Sequence, residues 1–321
     1  MTPSEISNKT IIVAPLDWGM GHLTRCSVLI RQLLLAENKI VFAGTDFQCN
    51  WILCEFPSVN CEIIEGYKVT LDSEKSTYWQ MIAQSAKMSK VMRFESQKAE
   101  ELSQKYNADV IISDNRYAFR SKLTQNILLT HQLSPPVPLF RKAVTKRIQN
   151  WANEFDFCWI PDNNESPFCK DLNEVQLKIP LTYIGRLSRF NKITAAEKFD
   201  FCFIASGPSP QIEKFSEMVS NLLNHHHQKY VLVVPVDMGL PHQVVNPSTE
   251  KLNELICQSS KVIARAGYTT MMELSELNKL SILVPTPGQY EQEFLADQTN
   301  LSGFTFVQQK QLDQIFTSFI D

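Results

Sequence analysis

Short runs of consecutive apolar residues alternate along this chain with longer stretches in which apolar positions recur at helical spacing. TIIVAP (Thr10–Pro15), KIVFA (Lys39–Ala43) and ADVIIS (Ala108–Ser113) are apolar on successive positions, which predicts strands buried on both faces. Helical periodicity predicts helices from about His22 to Leu35 and between Tyr78 and Tyr106, and apolar runs return at Ile127–Thr130 and Phe157–Ile160. The second half repeats the rhythm with DFCFIA (Asp200–Ala205), YVLVVP (Tyr230–Pro235), KVIA (Lys261–Ala264) and SILVP (Ser281–Pro285). Strand and helix in alternation predict an α/β chain with doubly wound parallel sheets. The two halves predict two Rossmann-like domains facing a cleft, 1–182 and 183–307, with a hinge near Pro180–Arg189. A final helix is expected within 308–321, its periodicity clearest from Lys310 to Ile320.

Composition narrows the class. At 321 residues, 44% hydrophobic and 20% charged, the chain can bury two sizeable cores. The 31 Lys and Arg nearly balance the 34 Asp and Glu, so nothing points to a nucleic-acid partner. Eight scattered cysteines without a CxxC pair predict reduced thiols in a cytoplasmic protein, with no metal site. The polar start MTPSEISNKT gives no signal peptide, and no apolar run approaches the roughly 20 residues of a membrane span.

The densest chemistry lies between Arg265 and Glu293. RAGYTTMMEL (Arg265–Leu274) combines a Gly turn with a helix start, whose unbonded N–H groups attract anions. Glu273 one turn further in can accept hydrogen bonds from a ribose diol, and Gln289, Glu291 and Gln292 in TPGQYEQE suit sugar hydroxyls. Thr270 and Glu273 also have the spacing of a capping box, which would explain both residues structurally. DWGMGHLTR (Asp17–Arg25) follows the first strand; Gly19 and Gly21 let the backbone turn and deliver His22 to a helix start. It lacks the third glycine of a dinucleotide fingerprint and the GK[ST] of a P-loop. His22 suits a general base, and a helix-start His satisfied by backbone is the plain alternative. In SDNRYAF (Ser113–Phe119), Asp114 is a second candidate base, with Asn115 and Arg116 as acceptor contacts; an Asx turn with a surface arginine is the structural reading. In SGPSPQ, Ser206 and Gly207 can offer donors to a diphosphate.

Taken in order, these segments resemble the family 28 glycosyltransferases, the group that includes the enzyme adding N-acetylglucosamine to the lipid-linked peptidoglycan precursor. In that family a Gly turn enters a helix whose Glu lies six residues on, as Gly267 and Glu273 do here, and a Gln-rich loop follows the next strand. The resemblance implies a GT-B fold and inverting, metal-independent transfer from a nucleotide-diphosphate sugar, a UDP-sugar by preference, to a glycan or lipid-linked hydroxyl, with no further cofactor. It implies that the loop of Gly19 and Gly21 faces the nucleotide-sugar donor, that Gly267, Tyr268, Thr269, Arg189 and Arg265 meet the diphosphate, Glu273 the ribose, and Gln289 with Gln292 the sugar, and that the helix within 308–321 packs back on the first domain. The chain departs from the family in its first Gly loop and at Pro208 and Pro210.

Three other readings share the architecture: a nucleotide-sugar hydrolase with a GxGHxxR loop like Gly19–Arg25, a non-hydrolysing epimerase, and a silent nucleotide-sugar binder. The consecutive His225, His226 and His227 point in different directions on a helix and predict no metal site. Leu139–Trp151 surrounds an apolar face with Arg141, Lys142, Lys146 and Arg147, and is either an ordinary surface helix or a peripheral contact with anionic lipid at the inner face of a membrane.

Overall fold

The computed structural model describes residues 1–67, 85–168, 170–207, 211–223, 228–297 and 303–312. They form two compact units that divide between Leu187 and Ser188.

The first unit is built on a seven-stranded sheet: β1 (Thr10–Pro15), β2 (Lys39–Gly44), β3 (Asn60–Ile63), β4 (Val110–Asp114), β5 (Gln125–Leu129), β6 (Phe157–Ile160) and β7 (Leu181–Tyr183). Every pairing is parallel and the order is 3-2-1-4-5-6-7. Side chains alternate across a strand, so β1 serves two cores. Ile11 and Val13 pack with Leu23 and Leu29 of α1 (Met20–Leu35) and with Phe42 and Trp159. Ile12 and Ala14 pack on the opposite face with Ala99 and Leu102 of α3 (Ser85–Tyr106). That double burial is why the strand reads as an unbroken apolar run. Helices α2 (Asp46–Glu55), with a Thr45/Gln48 capping box at its start, and α4 (Arg141–Ala152) also belong to the unit.

The second unit repeats the plan with six strands: β8 (Phe199–Ile204), β9 (Tyr230–Val234), β10 (Gln243–Val245), β11 (Ser259–Arg265), β12 (Ser281–Val284) and β13 (Phe304–Phe306). All pairings are parallel, in the order β10-β9-β8-β11-β12-β13. Phe201, Phe203, Leu232, Ile263 and Ile282 pack with Phe215 and Val219 of α5 (Gln211–Leu223). Three further helices are α6 (Thr249–Cys257), α7 (Tyr268–Glu276) and α8 (Tyr290–Asp297).

The predicted α/β class with doubly wound parallel sheets holds in both units. Four strands were not anticipated, β3, β7, β10 and β13, and each is the edge of its sheet. The segment predicted as a hinge, Pro180–Arg189, contains the edge strand β7 and the division between the units. Of the expected terminal helix, a single 3-10 turn at Gln309–Gln311 is described, and Leu312 packs into the second unit's core; residues 313–321 lie outside the described residues. So do His225–His227, Pro208–Pro210 and residues 78–84 of the expected helix before Tyr106.

Candidate functional site

In an open parallel sheet, ligands bind beyond the carboxyl ends of the strands where the strand order reverses. In the first unit that point lies between β1 and β4, where Pro15 pairs with Asp114. The chain leaving β1 reaches Gly19, whose φ of 79 lies in the left-handed region that favours glycine, and Gly19 caps α1. Gly21 lies inside the first helical turn, so only one of the two predicted glycines makes the turn. His22 follows as the third helical residue.

His22 and Asp114, read from the sequence as alternative bases, are brought together. His22 Nδ1 is 3.1 Å from Asp114 Oδ2. Asp114 is fully buried and gripped by Arg25, whose Nε donates to Oδ2 at 2.8 Å and whose Nη2 donates to Oδ1. Arg25 stands one helical turn beyond His22 on the same face, itself buried, with Nη2 2.8 Å from His22 Nδ1 and Nη1 2.8 Å from His131 Nδ1. An arginine only donates, so the His131 Nδ1 accepts. Neither Arg25 nor His131 was assigned a role from sequence. His131 stands two residues past the end of β5, at the same carboxyl edge that carries Asp114, and the i, i+3 spacing from His22 was the available signal for Arg25.

This packing sets the proton affinities. Burial would raise the Asp114 carboxyl, but Arg25 and then His22 override it and hold Asp114 well below the usual carboxylate range. Burial is the largest influence on His22 and lowers it; Asp114 pulls the ring up, Arg25 and His131 push it down, and it ends below the ordinary imidazole value. Asp114 is thereby a fixed anion and His22 a neutral imidazole at pH 7. With Nδ1–H donating to Asp114 Oδ2, the lone pair sits on Nε2; in the other tautomer Nδ1 accepts from Arg25 Nη2. Only the first leaves Nε2 as a base.

The residues read from sequence as acceptor contacts, Asn115 and Arg116, lie just past β4. Arg116 is wholly buried, with Nε donating to the Pro15 carbonyl at 2.7 Å and Nη1 to Glu95 Oε1. Glu95 also accepts from Tyr67 at 2.6 Å, and Asp17 Oδ1 accepts from the Tyr67 amide at 3.1 Å. The Arg116 guanidinium is therefore neither a surface charge nor a group presented to solvent; it ties β1 to α3. Asn115 adopts φ 55, its amide bonded to the Leu129 carbonyl, with a buried Oδ1 that has no hydrogen-bond partner among the described residues.

The second unit reverses its strand order between β8 and β11. Ser206 and Gly207 follow β8, with Gly207 at φ 121; Arg265 ends β11, and Ala266 and Gly267 follow it. Gly267 is the N-cap of α7, with no side-chain cap bond, and Tyr268 and Thr269 lie buried in its first turn. Thr270 is thus inside the helix, and the capping box expected between Thr270 and Glu273 does not form. Glu273 is instead bound by Arg189, whose Nε donates to Oε1 at 2.6 Å and Nη2 to Oε2 at 3.3 Å. Arg265 is 2% exposed, stacked at 4.1 Å on the Phe215 ring, with Nη1 donating to Gln309 Oε1 at 2.9 Å and Nη2 toward the Gln211 carbonyl at 3.4 Å. It has no carboxylate partner among the described residues, its Nε is unpaired, and burial pulls its pKa down to about 10. After β12 the loop is held by its own side chains: Gln292 donates to Gln289 Oε1 at 2.7 Å and accepts the Thr286 amide at 2.8 Å, and Glu293 accepts the Gly288 amide at 2.9 Å. Glu291 lies in the first turn of α8. Among the described residues no three His, Cys, Asp or Glu side chains group as a metal site, and no helix is long and apolar enough to cross a membrane.

Solved structures share this fold across nearly the whole chain. The glycotransferase of kitacinnamycin is similar with a TM-score of 0.65 at 14% identity, covering 97% of this chain and 90% of that one. UGT2 of Phytolacca americana, complexed with UDP-2fluoro-glucose and pterostilbene, gives 0.65 at 12% identity, covering 98% and 91%. MurG of Acinetobacter baumannii gives 0.53 at 13% identity, covering 97% and 90%. The fold is that of the GT-B glycosyltransferases. Residues 203–305 match the family model described as the glycosyltransferase family 28 C-terminal domain, which spans β8's end to β13 and contains Arg265, Gly267, Glu273 and the Gln289–Gln292 loop. Domain match and fold together support a glycosyltransferase. No curated protein sequence matches the chain.

Proposed function

We propose that the chain is an inverting, metal-independent glycosyltransferase that moves a sugar from a nucleotide diphosphate, a UDP-sugar by preference, to a hydroxyl of a glycan or lipid-linked acceptor. The observation that carries this reading is the clamped His22–Asp114 pair at the reversal point of the first sheet. His22 Nε2 takes the proton of the acceptor hydroxyl as its oxygen bonds to the anomeric carbon from the face opposite the leaving group. Asp114 balances the charge the imidazole acquires, and Arg25 fixes the carboxylate in place. The bond to the nucleoside diphosphate breaks with its electron pair, and inversion follows from single in-line displacement. The α7 N-terminus, Arg265 and the Ser206–Gly207 turn receive the departing diphosphate. Glu273 takes the ribose, while Gln289, Glu291 and Gln292 read the sugar.

A lipid-linked acceptor gains support from the tip before α4. Leu139 is 47% and Phe140 74% exposed, Lys142, Lys146 and Arg147 are close in sequence, and residues 131–152 contain no acidic side chain. On this reading the chain works at the cytoplasmic face of a membrane, with anionic lipid under this tip.

The test is turnover of UDP-, GDP- and TDP-sugars in EDTA, first without acceptor and then with a lipid or glycan fraction, following nucleotide and sugar. Transfer requires that release of nucleoside diphosphate wait for acceptor. Fast release without it would make the same His22 a base for water and the chain a nucleotide-sugar hydrolase, and loss of turnover in EDTA would remove metal independence.

A further inference from the structure

Arg189 holds Glu273 by both carboxylate oxygens, at 2.6 and 3.3 Å, and the two side chains are only 13% and 8% exposed. A carboxylate so enclosed is costly to leave without a positive partner or hydrogen-bond donors. Glu273 lies six residues past Gly267, roughly 9 Å along the α7 axis. Helical side chains lean toward the N-terminus, so Glu273 holds the Arg189 guanidinium on the side toward the anion-attracting end of α7. The Phe190 ring, 5.0 Å from the guanidinium, gives it an apolar platform. Arg265, at the end of β11, is buried and packed on Phe215 and has no comparable freedom.

We propose that Arg189 is a specificity-determining residue that makes the donor site answer only to ligands carrying a ribose diol and an oxyanion together. The inference rests on the nucleotide-sugar reading above. A nucleoside offers two hydroxyl donors to Glu273 but leaves Arg189 enclosed without an anion. Inorganic pyrophosphate draws Arg189 away but leaves Glu273 bare beside a second negative charge. A nucleoside diphosphate does both: its hydroxyls replace the guanidinium on Glu273 while its oxyanion receives Arg189. One ion pair is exchanged for two satisfied groups, and neither half of the ligand can drive the exchange alone.

The experiment is calorimetric titration of wild type and Arg189→Ala with UDP, uridine and 2′-deoxy-UDP, with GDP and TDP run beside them. In wild type, uridine should bind on the order of 100-fold more weakly than UDP. In Arg189→Ala, UDP should weaken and uridine strengthen, each by about tenfold, because Glu273 is then free for the ribose and the phosphate has lost its cation. The penalty for the missing 2′-hydroxyl should grow in the same variant. Should Arg189→Ala fail to fold, Arg189→Lys keeps the charge without the two-pronged grip, and uridine should strengthen there too. Uridine binding that falls or stays unchanged in the folded variant, with UDP still bound by wild type, overturns the inference and leaves the donor reading standing. If wild type binds none of the diphosphates, the donor reading itself falls and takes the inference with it.

Discussion

His22 Nδ1 and Asp114 Oδ2 lie 3.1 Å apart although 92 positions separate them in sequence, and the parallel pairing of β1 with β4 brings them together. Removing either should impair transfer by different routes. His22→Ala leaves the Arg25–Asp114 pair closed, so the chain should fold as wild type while kcat falls by about 10²–10⁴. Asp114→Ala strands the buried Arg25 and should also cost about 3–5 kcal/mol of stability. Urea denaturation beside steady-state kinetics separates the two; equal stability loss in both variants would contradict the assignment.

The pH profile follows from the same packing. Burial and the Arg25 cation keep His22 below the ordinary imidazole value of about 6.5, so the acid limb of kcat/KM should lie below pH 6.5. Stability carries the same sign: the unfolded chain takes up this proton at a higher pH than the folded one, so stability declines as pH falls below about 6.5. Asp114, also depressed, adds stability above its unfolded value of about 3.9 that is lost as the medium becomes more acid. Arg25→Gln removes the nearest cation from His22 and should move the kinetic limb upward; an unmoved limb would show that Arg25 does not tune the base.

Arg116→Met should unfold the chain rather than impair acceptor binding. It leaves Glu95, 2% exposed, without its guanidinium, at about 3–5 kcal/mol. The double variant Arg116→Met/Glu95→Leu should recover much of that loss, as measured by the urea midpoint. A stable Arg116→Met with a raised acceptor KM would assign Arg116 to acceptor contact instead.

Phe140 supplies a prediction with opposite signs in two assays. It caps α4 at φ 57, a conformation that costs an L-residue about 1–2 kcal/mol, while its ring stays exposed. Phe140→Gly should therefore hold or raise the melting temperature and yet weaken sedimentation with vesicles containing anionic phosphatidylglycerol. Equal sedimentation of the variant and wild type would take lipid away from this tip.

The central strands were legible because strands buried on both faces must be apolar on successive residues, as Ile11 to Ala14 are. The strands that escaped are the outermost ones. Asn60–Ile63 and Gln243–Val245 are three or four residues long with no fully buried position, so their sequence carries no apolar run. Leu181–Tyr183 is half-buried throughout and looks like linker. At the site, strand-end position revealed His22 and Asp114 as candidates but not that they form one unit, because that depends on which strands are neighbours. The surface-charge reading of Arg116 failed for a related reason: a charged residue after a strand reads as exposed, and its burial becomes visible only when Glu95 arrives from a distant helix. Thr270 and Glu273 fitted a capping box by spacing, but the helix starts earlier, at Tyr268, and the carboxylate points to Arg189.

Gly267 has φ −77, a backbone any residue adopts, and a Cβ there would meet Thr270 Oγ1 at an ordinary 3.6 Å. Folding therefore makes little demand on this position. Its missing side chain is headroom above the first turn of α7, and replacements of graded size, alanine, then serine, then valine, would act as a ruler. Melting temperature should change little along such a series while donor affinity steps down with each added atom, so a position that looks like a structural turn in the sequence becomes a gauge of how close the ligand comes to the backbone.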